Sequence, residues 1–186
     1  MHIKKLILIG ASTGGPGQIQ KIIKSIKKDF NKVIIIAQHM QSAYLQSFTN
    51  QLDNNCAISV ITVFDNLTLS HGNIYVLPEN YEIFESMGVL KFKKYNGALN
   101  YSPNINLLFN SVSNIKEKIE VMCIVLTGIG DDGAVGAYNL QKSGAKCLNE
   151  NEQSSIVYGM PKAANELNPD AKQCNINQIC KAMEEF

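Results

Sequence analysis

Leu6-Ile7-Leu8-Ile9-Gly10-Ala11-Ser12-Thr13-Gly14-Gly15-Pro16-Gly17 is the stretch that decides the fold. Four apolar residues in succession, with no polar alternation, predict a strand buried on both faces, as in a parallel sheet. The segment from Pro16 to Phe30 follows, with apolar residues at Ile19, Ile22, Ile23, Ile26 and Phe30. That spacing marks one face of a helix, while Lys21, Lys24, Lys27 and Lys28 take the other. Pro16 suits a first helical turn. A second apolar run, Val33 to Ala37, completes a strand–helix–strand unit that should cross over right-handed.

Working outward, a third run from Val121 to Leu126 predicts another buried strand. Helices are expected at Ser42–Asp53, with Tyr44, Leu45, Phe48 and Leu52 inward, and at Pro103–Ile119. Further helices are expected over 133–143, 156–165 and 176–185. Residues 57–93 differ. Ala57–Phe64, Asn73–Leu77, Tyr81–Glu85 and Val89–Lys93 read as short strands, the last two joined at Ser86-Met87-Gly88 as a hairpin. The expected fold is α/β: an open, doubly wound, mostly parallel sheet with an antiparallel edge or hairpin insertion. No repeat or linker divides the 186 residues, so one domain over 1–186 is expected.

Composition narrows the function classes. Hydrophobic residues make up 45% and charged residues 18%, which argues against disorder. A net charge of +1 removes the electrostatic case for nucleic-acid binding. All 17 basic residues are Lys, so there is no guanidinium for bidentate recognition of phosphate. No apolar run approaches the roughly 20 residues that span a bilayer, and no membrane insertion is expected. The five cysteines form no CxxC pair and no export signal precedes them, which points to reduced thiols in the cytoplasm. Cys123, inside an apolar run, reads as a small core residue.

In doubly wound sheets, ligands bind outside the carboxyl ends of the strands. Three chemically apt residues leave the three buried strands at that edge: Ser12, His39 and the Asp131-Asp132 pair. Gly10-x-Ser12-x-Gly14 matches a nucleophile elbow in its strand–turn–helix setting. A glycine-rich loop that turns the chain, or cradles phosphate over residues 10–17, is the competing reading. No Lys-Ser/Thr follows Gly15, so the loop is not a Walker A motif. His39 becomes a candidate general base because Ser12 should stand at the neighbouring strand exit; His2 and His71 compete poorly. Asp131 and Asp132 could form a turn and helix cap, or supply the acid that holds the histidine, and spacing does not choose between them. The scattered histidines give no metal-ligating cluster, so neither metal nor cofactor is expected.

Ile9-Gly-Ala-Ser-Thr-Gly-Gly15, Gln38-His-Met40, Leu126-Thr-Gly-Ile-Gly-Asp-Asp-Gly-Ala134 and Tyr158-Gly-Met-Pro161 together resemble the chemotaxis receptor protein-glutamate methylesterase (CheB) catalytic domain. The resemblance runs over essentially the whole chain and takes in Gly72–Pro78 and Asn151-Glu152. It implies a cytoplasmic serine hydrolase that demethylates glutamate methyl esters on the cytoplasmic helical region of chemotaxis receptors, with deamidation of glutamines as a further family activity. It carries the nucleophile onto Ser12, the base onto His39 and the acid onto Asp132. Backbone N–H groups of Thr13 and Ile129 fall in the oxyanion region.

The sequence departs from the family pattern at Ile129, where Met is common, at Gln41-Ser42, and in Tyr101-Ser-Pro-Asn-Ile-Asn106, which lacks the usual Arg and Asp. The family usually carries an N-terminal receiver domain, whereas the first strand here begins within six residues of Met1. The resemblance therefore implies a cleft open at rest and an activity indifferent to phosphodonors. A phosphate- or nucleotide-binding module on the 10–17 loop, and a catalytically inert receptor-binding scaffold, are the rival readings.

Overall fold

The computed structural model describes residues 3–115 and 119–186. His2 and the stretch of the expected Pro103–Ile119 helix at 116–118 lie outside the described residues. The elements in chain order are β1 (Lys5–Ala11), α1 (Gly15–Lys24), β2 (Val33–Gln38), α2 (Ser42–Asn54), β3 (Ser59–Thr62), β4 (Asn73–Val76), β5 (Tyr81–Ser86) and β6 (Val89–Lys94). There follow α3 (Ile105–Ser113), β7 (Glu120–Val125), α4 (Ala134–Lys142), β8 (Lys146–Glu150), α5 (Met160–Leu167), β9 (Lys172–Cys174) and α6 (Ile176–Glu185).

Seven strands form one parallel sheet in the order β3-β4-β2-β1-β7-β8-β9. The chain winds outward from β1 on one side, then returns to β7 on the other, so the order reverses at the centre. Crevices for ligands open at such reversals. The apolar runs alternate between two cores. Leu6 and Leu8, Val33 and Ile35, and Cys123 and Val125 face α3, α4 and the β5–β6 hairpin. Ile7 and Ile9, Ile34 and Ile36, and Met122 and Ile124 face α1, α2 and α6. Apolar residues on both faces are what a sheet covered on both sides requires.

Several details differ from the sequence reading. Helix α1 stops at Lys24, because Ser25 Oγ donates back to the Ile22 carbonyl at 2.7 Å and ends the turn. Ile26 is nonetheless buried, and Phe30 packs against the same core. Tyr44 points outward at 65% exposure, while Leu45, Phe48 and Leu52 are buried as expected. Among the described strands only the β5–β6 pair is antiparallel, turning at Met87-Gly88 with φ of 51° and 73°, and it forms a separate two-stranded sheet. Strands β3 and β4 instead extend the parallel sheet. The helix expected from Ile156 begins at Met160, because residues 151–159 are held as an irregular loop by hydrogen bonds to Asn151, Thr127 and Gly128. Strands β8 and β9 were not anticipated: Lys146–Glu150 ends in buried Asn149 and Glu150, and β9 has three residues.

Ile35 in the middle of β2 is fully buried. Ile35→Ala should lower the unfolding free energy by about 2–5 kcal/mol with the fold retained, as read from urea denaturation followed by circular dichroism.

Candidate active site

Ser12 is the first residue beyond β1 and His39 the first beyond β2, and Ala11 and Gln38 before them are register partners. The His39 N–H donates to the Ala11 carbonyl at 2.9 Å, continuing the ladder one step past the sheet. Strand β7 is the other neighbour of β1 and leads into the 126–133 loop. The Ser12 N–H donates to the Thr127 carbonyl at 3.0 Å, tying the elbow to that loop. Gly14, at φ 84°, takes the left-handed conformation that turns the chain into α1. Gly128 is required for a different reason: a β-carbon there would lie 2.7 Å from Ser12 Cβ and would also collide with the Met160 sulfur.

Asp132 is 1% exposed, whereas its neighbour Asp131 is exposed. The structure thus separates two carboxylates that spacing could not. Asp132 Oδ2 meets His39 Nε2 at 2.8 Å and accepts the Ile105 N–H at 2.8 Å; Oδ1 accepts the Asn106 N–H at 2.9 Å. Those are the first two residues of α3, so the carboxylate sits at the positive end of a helix dipole. Asn104 caps the same helix by accepting the Leu107 N–H at 2.7 Å. Two side chains thereby satisfy three of the four N–H groups that a helix start leaves unpaired.

Asp132 engages Nε2, which leaves Nδ1 as the imidazole nitrogen available to other groups. Trypsin-like proteases use the opposite assignment, with the acid on Nδ1. No hydrogen bond joins the Ser12 hydroxyl to His39 among the described residues. Such contacts are often long before substrate binds.

Two peptide planes beside Ser12 are fixed in the same way. The Ser12 carbonyl accepts from Gly15 N–H at 2.8 Å and Gln38 Nε2 at 2.9 Å. The Gly128 carbonyl accepts from Gly159 and Met160 N–H groups at 3.1 and 2.9 Å. In a planar trans peptide, the next residue's N–H points opposite to the carbonyl. Those N–H groups belong to Thr13 and Ile129, and neither has a protein partner among the described residues. The Tyr158–Pro161 motif therefore buttresses the 128–130 loop, and Gln38 braces the elbow while also donating to the His39 carbonyl at 2.9 Å.

Sequence reasoning missed Gln38 and Glu150. Glu150 is fully buried at the end of β8. It accepts the Thr127 N–H at 2.8 Å, Gln18 Nε2 at 2.5 Å and Ser154 Oγ at 2.9 Å, anchoring the start of the 126–133 loop. The sequence carries no clear signal for Glu150, because the short strand it closes has few apolar residues. His71 lies in a turn with Nδ1 3.0 Å from the Asn31 carbonyl, in the loop that precedes β2. No group of three or more His, Cys, Asp or Glu that could hold a metal occurs among the described residues, and no helix among them is long and apolar enough to cross a membrane.

A family model described as CheB methylesterase matches residues 7–183. A protein-glutamate methylesterase/protein-glutamine glutaminase of Clostridium acetobutylicum is 36% identical over 161 residues, covering 86% of this chain and 46% of that protein. A second protein of that description, from Syntrophomonas wolfei, is 32% identical over 185 residues, covering 96% of this chain and 53% of its own length. The chain thus spans about half the length of these relatives. The crystal structure of the Thermotoga maritima CheB methylesterase catalytic domain superposes with a TM-score of 0.89 at 26% identity, covering 98% of both chains.

A methyl at position 128 has nowhere to go unless Ser12 and Met160 shift. Gly128→Ala should therefore cost about 1–3 kcal/mol of stability, measured by urea unfolding, and a neutral result would mean that the loop yields freely.

Proposed function

The chain belongs to the CheB methylesterase family, and from that premise we propose that it hydrolyses glutamate methyl esters on chemotaxis receptors through Ser12, His39 and Asp132. The observation that carries this reading is the buried Asp132–His39 pair, placed at the strand exit beside an elbow serine. Its substrate is the cytoplasmic helical region of those receptors, and its compartment the cytoplasm.

His39 Nδ1 takes the Ser12 proton as Oγ attacks the side-chain ester carbonyl. Asp132, acting on Nε2, stabilises the imidazolium that forms. The Thr13 and Ile129 N–H groups receive the oxyanion; losing one such donor typically costs about 10²–10³ in rate. As the tetrahedral intermediate collapses, His39 returns the proton to the departing methoxide and methanol leaves. Water, activated by His39, then hydrolyses the acyl-enzyme to free Ser12 and the glutamate carboxylate. A glutamine side chain would follow the same path with ammonia as the leaving group. All of these steps use groups of the chain itself.

The rival reading of residues 10–17 as a phosphate cradle fits less well. The loop spends its Ser12 and Gly15 N–H groups on internal carbonyls, which narrows the donor set a phosphate would need.

Purified protein should release methanol from membranes carrying methylated receptors, and Ser12→Ala should abolish the release while leaving the unfolding midpoint nearly unchanged. Normal release by Ser12→Ala would overturn the serine mechanism. Asp132→Asn should lower kcat by about 10⁴, the loss seen when a triad aspartate is replaced, whereas Asp131→Asn should retain most activity. Equal losses at the two positions would refute the assignment of the acid.

A further inference from the structure

Tyr101 precedes α3 in a segment that no catalytic motif covers. Its ring stacks on the His39 imidazole, with centroids 4.8 Å apart and planes 6° from parallel. The His39 side chain is 13% exposed, with Tyr101 lying over one face of its ring. The hydroxyl end of Tyr101 lies beside Gly130: a β-carbon there would lie 3.0 Å from Tyr101 Oη.

The Asp132 hydrogen bond fixes a single atom of the imidazole, Nε2. One such bond leaves the ring able to rock about the bond's own axis, which would swing Nδ1 away from Ser12. A face-to-face contact opposes that motion. We propose that Tyr101 is a positioning residue: its stacked ring sets the plane of His39 so that Nδ1 is presented to Ser12, and its π face stabilises the imidazolium formed during proton transfer.

The inference rests on the reading of His39 as general base. Aromatic faces carry the negative part of the ring quadrupole, so a cation stacked on one is favoured over the neutral ring. The charged or titratable groups that meet His39 are Asp132, from the loop after β7, and Tyr101 itself. Asp131 is exposed, and no other charged side chain contacts His39 among the described residues.

Two substitutions separate the ring from its bulk. Tyr101→Phe keeps the aromatic face, while Tyr101→Leu keeps an apolar side chain without it. Tyr101→Phe should retain kcat within about twofold, and Tyr101→Leu should lose about tenfold in kcat with KM little changed. The NMR titration midpoint of the His39 ring should be lower in Tyr101→Leu than in the parent, because the charged form loses its partner, and should stay in place in Tyr101→Phe. The acid limb of the pH–rate profile should move with it.

A Leu variant with parental kcat, or with an unmoved midpoint, overturns the proposal. The NMR arm is read on folded protein whether or not methanol is released. A parent protein that releases no methanol therefore sinks the esterase reading, while an unmoved titration sinks the role of Tyr101. Cooperative urea unfolding certifies each variant, and Tyr101→Met serves in place of a Leu variant that does not fold.

Discussion

Everything at the functional edge depends on burying one carboxylate. Asp132 has almost no contact with water, and an ion in that position is costly unless its oxygens are fully engaged. Three donors meet that demand: the His39 ring and the first two N–H groups of α3. The same contacts dock α3 across the carboxyl end of the sheet and hold the imidazole in a single tautomer. The packing of a helix and the orientation of the His39 ring are thus one interaction. An asparagine there would keep one acceptor oxygen and turn its amide NH2 toward the other side, leaving one of those donors without a proper partner.

The three central strands and their faces were legible because continuous apolar runs leave few alternatives to a doubly covered parallel sheet. Once Leu6–Ile9, Val33–Ala37 and Val121–Leu126 are neighbours, the residues following them must cluster. That is why the sequence offers Ser12, His39 and the Asp131-Asp132 pair as candidates at one edge. The choice of Asp132 was not available from spacing, since it depends on which carboxylate α3 covers. The resemblance pointed to Asp132, which is also the buried one of the two.

What escaped the sequence was the supporting layer. Gln38 and Glu150 are polar residues at strand ends, a position that usually signals an exit to solvent. Both are buried because they bind backbone groups of loops that only the folded chain brings near. Strand β8 was hidden for the same reason: Lys146-Cys-Leu-Asn-Glu150 has too few apolar residues to announce a buried strand. The turn of β3 and β4 into the parallel sheet, and not into an antiparallel insertion, is likewise a tertiary choice, because runs of four residues carry no direction. Tyr44 shows the converse, an apolar ring at helical spacing that the adjacent core had no room to cover.

The strand order has a consequence for the kinetics of opening. The sheet ends in β3 and β9, of four and three residues, while β1 lies at the centre with three strands on either side. Local unfolding begins where few contacts must break, so fraying starts at the two margins and reaches β1 last. Amide protons of Leu6–Ile9 and Ile34–Ile36 should thus exchange only through global opening, and those of Ser59–Thr62 and Lys172–Cys174 through small fluctuations. The edge that carries Ser12 and His39 is built on the slowest-exchanging part of the molecule, and short, quickly reclosing margins give a neighbouring chain little to pair with.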